Sequence, residues 1–137
     1  MPDAKPPVVV DLRWSDGRRF EVTSRAVAFV LDGDSTAGPS PVQMLAASLA
    51  GCMSIDVVDI LRRGRHPVTG FRATLTGERA PEIPTRLTGV RVHFTVQGDV
   101  PPAAVERAIA LSHDKYCSVW HSLRQDIAFD SSFDIEP

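Results

Sequence analysis

The sequence predicts an α+β fold of antiparallel strands and one long, buried, cysteine-bearing helix, all within a single domain covering residues 1–137. Three observations lead there. Several segments alternate apolar and polar residues with the period of a half-buried strand. Residues 35–55 contain no charge at all. No internal repeat or low-complexity segment divides the chain, and 137 residues that are 43% hydrophobic suit one core.

The first third reads as a β-meander. Val8, Val10, Leu12 and Trp14 alternate with Val9, Asp11 and Arg13; Ser15-Asp16-Gly17 makes a turn, and Phe20 and Val22 then alternate with Glu21 and Thr23. Arg25 to Leu31 forms a third, more continuously apolar strand, closed by the Asp32-Gly33-Asp34 turn and a polar loop reaching Pro39. Ser40 suits an N-cap and Pro41 the first helical position, so a helix is expected from here to about Arg63, with Gly64 as its stop. Through Ile55 this helix is apolar or small on every face, which one small domain cannot cover by itself. A homodimer with the helix at or near the subunit interface is the expected solution. The apolar run from Val42 to Ile55 falls short of the roughly 18 residues of a membrane span, so it reads as a buried helix.

Beyond the helix, Phe71, Ala73 and Leu75 alternate with Arg72, Thr74 and Thr76, and Val90, Val92, Phe94 and Val96 alternate with Arg91, His93, Thr95 and Gln97. These predict two half-buried antiparallel strands joined by a proline-rich link. Pro101 and Pro102 open a second helix with the stripe Val105, Ala108, Ile109 and Ser112, reaching Tyr116 and Cys117. A short helical piece through Leu123 precedes a last strand carrying Ile127, Phe129, Phe133 and Ile135 on one face. The expected order is β-β-β-α-β-β-α-(α)-β.

Fifteen basic against 17 acidic residues give a net charge of −2, which offers no footprint for nucleic acid or an anionic membrane. The start, Met1 to Pro7, has neither the basic nor the apolar region of an export signal, so a cytoplasmic location is expected. There is no glycine-rich phosphate loop, no zinc Cys-x-x-Cys and no Ser-His-Asp signature.

Two residues carry the chemistry that remains. Cys52 lies mid-way along the apolar helix and Cys117 follows 65 positions later. Buried cysteines often act only as small hydrophobes. The alternative is a redox pair, in which one thiolate attacks an O–O bond, becomes a sulfenic acid and is captured by the other sulfur as a disulfide. A nucleophilic thiol must be ionised, yet the dipole of the helix does not reach Cys52, about 18 Å from the helix start. A cation from elsewhere is therefore needed, with Arg18, Arg19, Arg13 and Arg25 as candidates. His113, Cys117 and His121 fall at i, i+4 and i+8, but eight residues span about 12 Å of helix, too far for both histidines to hold one ion unless the helix breaks. Two of the three with Cys52 is the residual metal arrangement, and influence of either histidine on the ionisation of Cys117 is a milder role. Asp56 and Asp59, one turn apart, read as a solvated face.

The stretch from Gly38 through Cys52, Gly-Pro-Ser-Pro-Val-Gln-Met-Leu-Ala-Ala-Ser-Leu-Ala-Gly-Cys, and the segment Ser54 to Leu61 after it resemble the first-cysteine helix of the OsmC/Ohr family. Leu111-Ser-His-Asp-Lys-Tyr-Cys-Ser-Val119 resembles its second-cysteine segment, and in detail the chain is similar to the YhfA-like branch. The resemblance implies an OsmC-like α+β fold and an intertwined homodimer with its cysteine sites at the interface. It implies that Cys52 is the peroxidatic and Cys117 the resolving cysteine of a thiol peroxidase. The substrate would be an organic hydroperoxide, a small or lipoyl dithiol would restore the pair, and no metal or bound organic cofactor is required. Characterised peroxidases of the family place a glutamate in the first turn of the cysteine helix, where it holds an arginine beside the thiolate. Val42 and Gln43 stand there instead, so Gln43 would orient the arginine through a neutral amide oxygen, and Arg18 and Arg19 lie in the corresponding hairpin region. The competing expectation is a redox-sensing or small-ligand-binding protein of the same fold, without turnover.

Overall fold

The structure, a computed structural model, describes residues 4–137; Met1, Pro2 and Asp3, on which part of the expectation about an export signal rests, lie outside the described residues. The elements are β1 (Asp11–Asp16), β2 (Arg19–Ser24), β3 (Val27–Asp32), α1 (Pro41–Arg63), β4 (Gly70–Arg79), β5 (Leu87–Gln97), α2 (Pro102–Leu111), a π-helical turn (Ser112–Tyr116), α3 (Ser118–His121) and β6 (Ala128–Glu136). This is the expected order. The chain divides into two compact units within α1, Met1–Leu45 and Ala46–Pro137.

In the first unit β1, β2 and β3 form an antiparallel meander. Cross-strand pairing sets Leu12, Val22 and Phe29 in one row and Trp14, Phe20 and Leu31 in another. Both rows share one face, because side chains two residues apart on a strand point the same way. Gly17, at φ 52°, and Arg18 make the two-residue link from β1 to β2, in a backbone region that glycine enters without a Cβ penalty. The third strand starts at Val27 rather than at Arg25, which takes φ 52° in the turn before it. No glycine or asparagine marks that turn in the sequence.

Asp32 ends β3 and organises the loop that follows. Its buried carboxylate accepts the backbone N–H groups of Asp34, Thr36 and Ala37, the Thr36 hydroxyl and Arg19 Nε. These donors, the Ala37 N–H foremost, hold its carboxyl well below the usual carboxylate range. Because the folded state prefers the ion, Asp32 stabilises the fold above its unfolded pKa of about 3.9, and that contribution fades as acid protonates it. Asp32→Asn is therefore expected to be less stable at neutral pH and to lose less on acidification. Urea titrations of both proteins at several pH values measure this, and parallel pH profiles would refute it.

At the start of α1, Ser40 Oγ accepts the Gln43 N–H (3.1 Å), while Gln43 Oε1 accepts the Ser40 N–H (2.9 Å) and the Ser35 hydroxyl (2.8 Å). This is a reciprocal cap. Further along, Leu49, Met53, Val57 and Leu61 recur every fourth residue and are buried as one stripe, while Leu45 and Ile55 stay exposed. Taken over its whole length, α1 is long and apolar enough to cross a membrane, a property that core helices share.

The second unit contains the sheet β4-β5-β6. β4 and β5 pair antiparallel, as expected, but β6 runs parallel to β5, which corrects the expectation of purely antiparallel sheets. The chain crosses over between β5 and β6 through helices, and such a crossover returns the strand in its original direction. Phe71, Ala73 and Leu75 of β4 lie opposite Val96, Phe94 and Val92 of β5, with Phe133 and Ile135 on the far side. Phe94 is fully buried, its ring 5.8 Å from that of Phe71. Val105, Ala108 and Ile109 of α2 and Trp120 of α3 are buried as well.

Candidate active site

Regular α-helix stops at Leu111, not at Cys117. Ser112–Tyr116 winds as a π turn, closed by the Cys117 N–H donating to the Ser112 carbonyl (2.8 Å). Cys117 is then extended, with φ −71° and ψ 99°, and caps α3: its Sγ accepts the Trp120 N–H at 3.3 Å. The break takes His113 and His121 off any common helical stripe. His113 lies against Asp114 (2.8 Å) and the rings of Trp120 and Phe129, and His121 Nε2 donates to the His113 carbonyl at 3.0 Å. Neither belongs to the donor cluster at the sulfurs.

Cys52 is half-buried on α1, with Asp56 one turn further on the same side of the helix. The sulfurs of Cys52 and Cys117 and a carboxylate oxygen of Asp56 lie within 4.8 Å of one another. Both cysteines are free. Ser112, fully buried, donates its hydroxyl to Asp56 Oδ2 at 2.8 Å, and Ser118 Oγ stands 3.9 Å from Cys52 Sγ. Two residues 65 positions apart in the sequence are thus neighbours, at a distance from which modest side-chain movement reaches the roughly 2.05 Å of a disulfide.

Asp56 corrects the sequence reading of a solvated acidic face, which holds for exposed Asp59 alone. The signal for it was present: Asp56 is four residues beyond Cys52, so any group meeting Cys52 from another element also meets Asp56. Ser112 and Ser118 had no such mark, because the π turn that aims them has no sequence pattern of its own.

Burial pushes the Cys117 thiol up to about 11; the Trp120 N–H pulls against this, and Cys52 adds to the rise. The folded state therefore favours the neutral thiol. Its contribution to stability is intact below the ordinary thiol value of 9.0 and is lost as pH rises through about 11. Reduced protein should lose stability over that alkaline window more steeply than Cys117→Ala does. Denaturant titrations check the slopes, and identical slopes would contradict the assignment. At neutral pH, iodoacetamide should alkylate Cys52 ahead of Cys117.

Arg18, Arg19 and Gln43, also expected at the site, belong to the first unit and have partners there, as does Arg13, which pairs with Glu21. Arg19 Nε donates to Asp32 at 3.3 Å and its guanidinium also reaches Thr36 Oγ1 at 3.4 Å; Arg18 Nε lies 3.5 Å from Asp34. The Gln43 amide oxygen takes the two donors of the helix cap described above.

A family model described as OsmC-like protein matches residues 32–132. The chain is 39% identical to protein YhfA of Escherichia coli (strain K12) over 127 residues, which is 90% of this chain and 95% of that protein. Its fold is similar to that of an OsmC-like protein from Mycoplasma pneumoniae, with TM-score 0.85 and 12% identity over 98% of this chain and all (100%) of that one. It is similar also to an organic hydroperoxide resistance protein from Legionella pneumophila, with TM-score 0.72 and 16% identity over 96% of this chain and 99% of that one.

Proposed function

Because the chain belongs to the OsmC-like protein family, we propose that it is a cysteine-based thiol peroxidase for organic hydroperoxides. The observation that carries this reading is the approach of the two free sulfurs to within 4.8 Å across two separate elements. The Cys52 thiolate attacks the terminal peroxide oxygen; the S–O bond forms as the O–O bond breaks, and the alkoxide leaves and is protonated to the alcohol. Cys52 is then a sulfenic acid. The Cys117 sulfur attacks the Cys52 sulfur, its proton and the hydroxide depart together as water, and a disulfide joins the two. An external small or lipoyl dithiol returns both thiols and leaves as its own disulfide. Cys52 takes the first role because it is the less buried of the two, whereas burial keeps Cys117 neutral and suited to the second, slower step.

Arg18 and Arg19 remain the proposed source of the cation beside the thiolate, with Gln43 in the position of the family glutamate. A homodimer accords with the exposed apolar side chains of Leu45 and Ile55 on α1 and of Leu12 and Trp14 on the first sheet. A reducing cytoplasm would supply the dithiol.

The test is addition of one equivalent of cumene hydroperoxide to reduced, chelator-treated protein. The expected result is loss of both thiols per peroxide consumed, a mass lower by two hydrogens, and continued consumption once a dithiol is added. Peroxide decay no faster than in buffer would overturn the reading. Thiol oxidation without turnover in excess dithiol would favour the redox-sensing alternative.

A further inference from the structure

We propose that Cys52, Asp56 and Cys117 also form a binding site for a thiophilic divalent cation of the zinc class, distinct from the histidine stripe in which the sequence invites a metal reading. The inference goes beyond the peroxidase reading and does not depend on it. Three ligand atoms of different residues already lie within 4.8 Å of one another. Metal–sulfur bonds of about 2.3 Å and metal–oxygen bonds of about 2.0 to 2.2 Å place tetrahedral ligands roughly 3.3 to 3.8 Å apart, so a small inward rotation of the three side chains converges them on one ion.

The donor set selects the metal. Two thiolates favour soft or borderline cations, while magnesium and calcium need more oxygen ligands than one carboxylate supplies. Cys52 and Asp56, at i and i+4 on α1, present two ligands from one helix face, and Cys117 brings the third from the head of α3. Asp56 is already oriented as a ligand would be: the buried Ser112 hydroxyl donates to its Oδ2 at 2.8 Å. Such a partner fixes the carboxylate and leaves its other oxygen for the ion. Ser118 Oγ, 3.9 Å from Cys52 Sγ, borders the fourth position, which a water or a small ligand would fill.

Binding breaks two S–H bonds, sends both protons to solvent and forms two metal–sulfur bonds and one metal–oxygen bond. No electron moves. The sulfurs remain reduced, so the cation and the Cys52–Cys117 disulfide exclude one another, and the metal-loaded site is withdrawn from peroxide until the ion is removed.

Zinc chloride titrated calorimetrically into reduced, metal-stripped protein without peroxide tests this directly. One ion per chain at micromolar or tighter affinity is expected, and cobalt(II) in its place should give a thiolate-to-cobalt charge-transfer absorption. Asp56→Asn should weaken binding by at least about tenfold, and Cys117→Ser should weaken it further and diminish the absorption. Wild type oxidised to the disulfide keeps the sequence intact and should bind none, so the comparison stands even where a variant folds poorly. Absence of binding by reduced wild type, or equal affinity in reduced and oxidised protein, would overturn the proposal. The peroxidase test uses chelator-treated protein, so each can fail without the other.

Discussion

Cys52→Ser should consume hydroperoxide no faster than buffer, a fall on the order of 10⁴ or more from the wild-type rate, because the hydroxyl is un-ionised at neutral pH and cannot replace a thiolate as nucleophile. Cys117→Ser should behave differently. It retains the sulfur that attacks first, so about one peroxide per chain is consumed before the reaction stalls. Dimedone should then trap Cys52 as the sulfenic acid, visible by mass spectrometry. The pair of variants separates two roles that simple loss of activity would merge. Wild-type turnover by Cys52→Ser would end the assignment of the nucleophile, and sustained cycling by Cys117→Ser with the dithiol would end that of the resolving cysteine.

Trp120→Ala has the largest expected effect on stability. Trp120 is 4% exposed, and its ring sits 5.2 Å from that of His113 and 5.1 Å from that of Phe129. Truncation leaves a cavity under the cysteine segment and should cost about 3 to 5 kcal/mol, read from the urea midpoint. The backbone N–H that caps Cys117 survives the substitution, so the thiol keeps its hydrogen bond while the ring three residues on, with its contacts to His113 and Phe129, is lost. Alkylation of Cys117 at neutral pH should consequently speed up. A change below about 1 kcal/mol would show that the ring cluster does not hold this segment.

The inward face of β5 was legible because period-two alternation is a direct consequence of strand geometry: Val92, Phe94 and Val96 fall buried as their spacing predicts, whereas in the first alternating segment Val8 and Val10 precede β1 and, like Leu12 and Trp14, stay exposed. The start of α1 was legible for an equally local reason, since Ser40 and Pro41 announce it. The direction of β6 was not, because the same alternation fits a strand running either way and only the crossover decides. Nor was the turn at Arg25, where a non-glycine residue adopts positive φ under tertiary constraint. At the site, the two cysteines stand out by motif, and their sulfurs lie within 4.8 Å of one another. In sequence Asp56 pairs with Asp59 as a charged face, and only its place one turn beyond Cys52 marks it as part of the sulfur cluster. Ser112 required knowledge of a π turn that composition does not encode.

That turn closes a ring one residue larger than the helix preceding it, with the Cys117 N–H reaching back five positions to Ser112. Removing one residue between them, Lys115 for instance, would let ordinary helix run through and would swing everything downstream by about 100° around the axis. The thiol would then point along a different azimuth from the one that meets α1. The single surplus residue acts as a phase-setter, which makes the length of this segment, more than the identity of its exposed side chains, the quantity that a working variant must preserve.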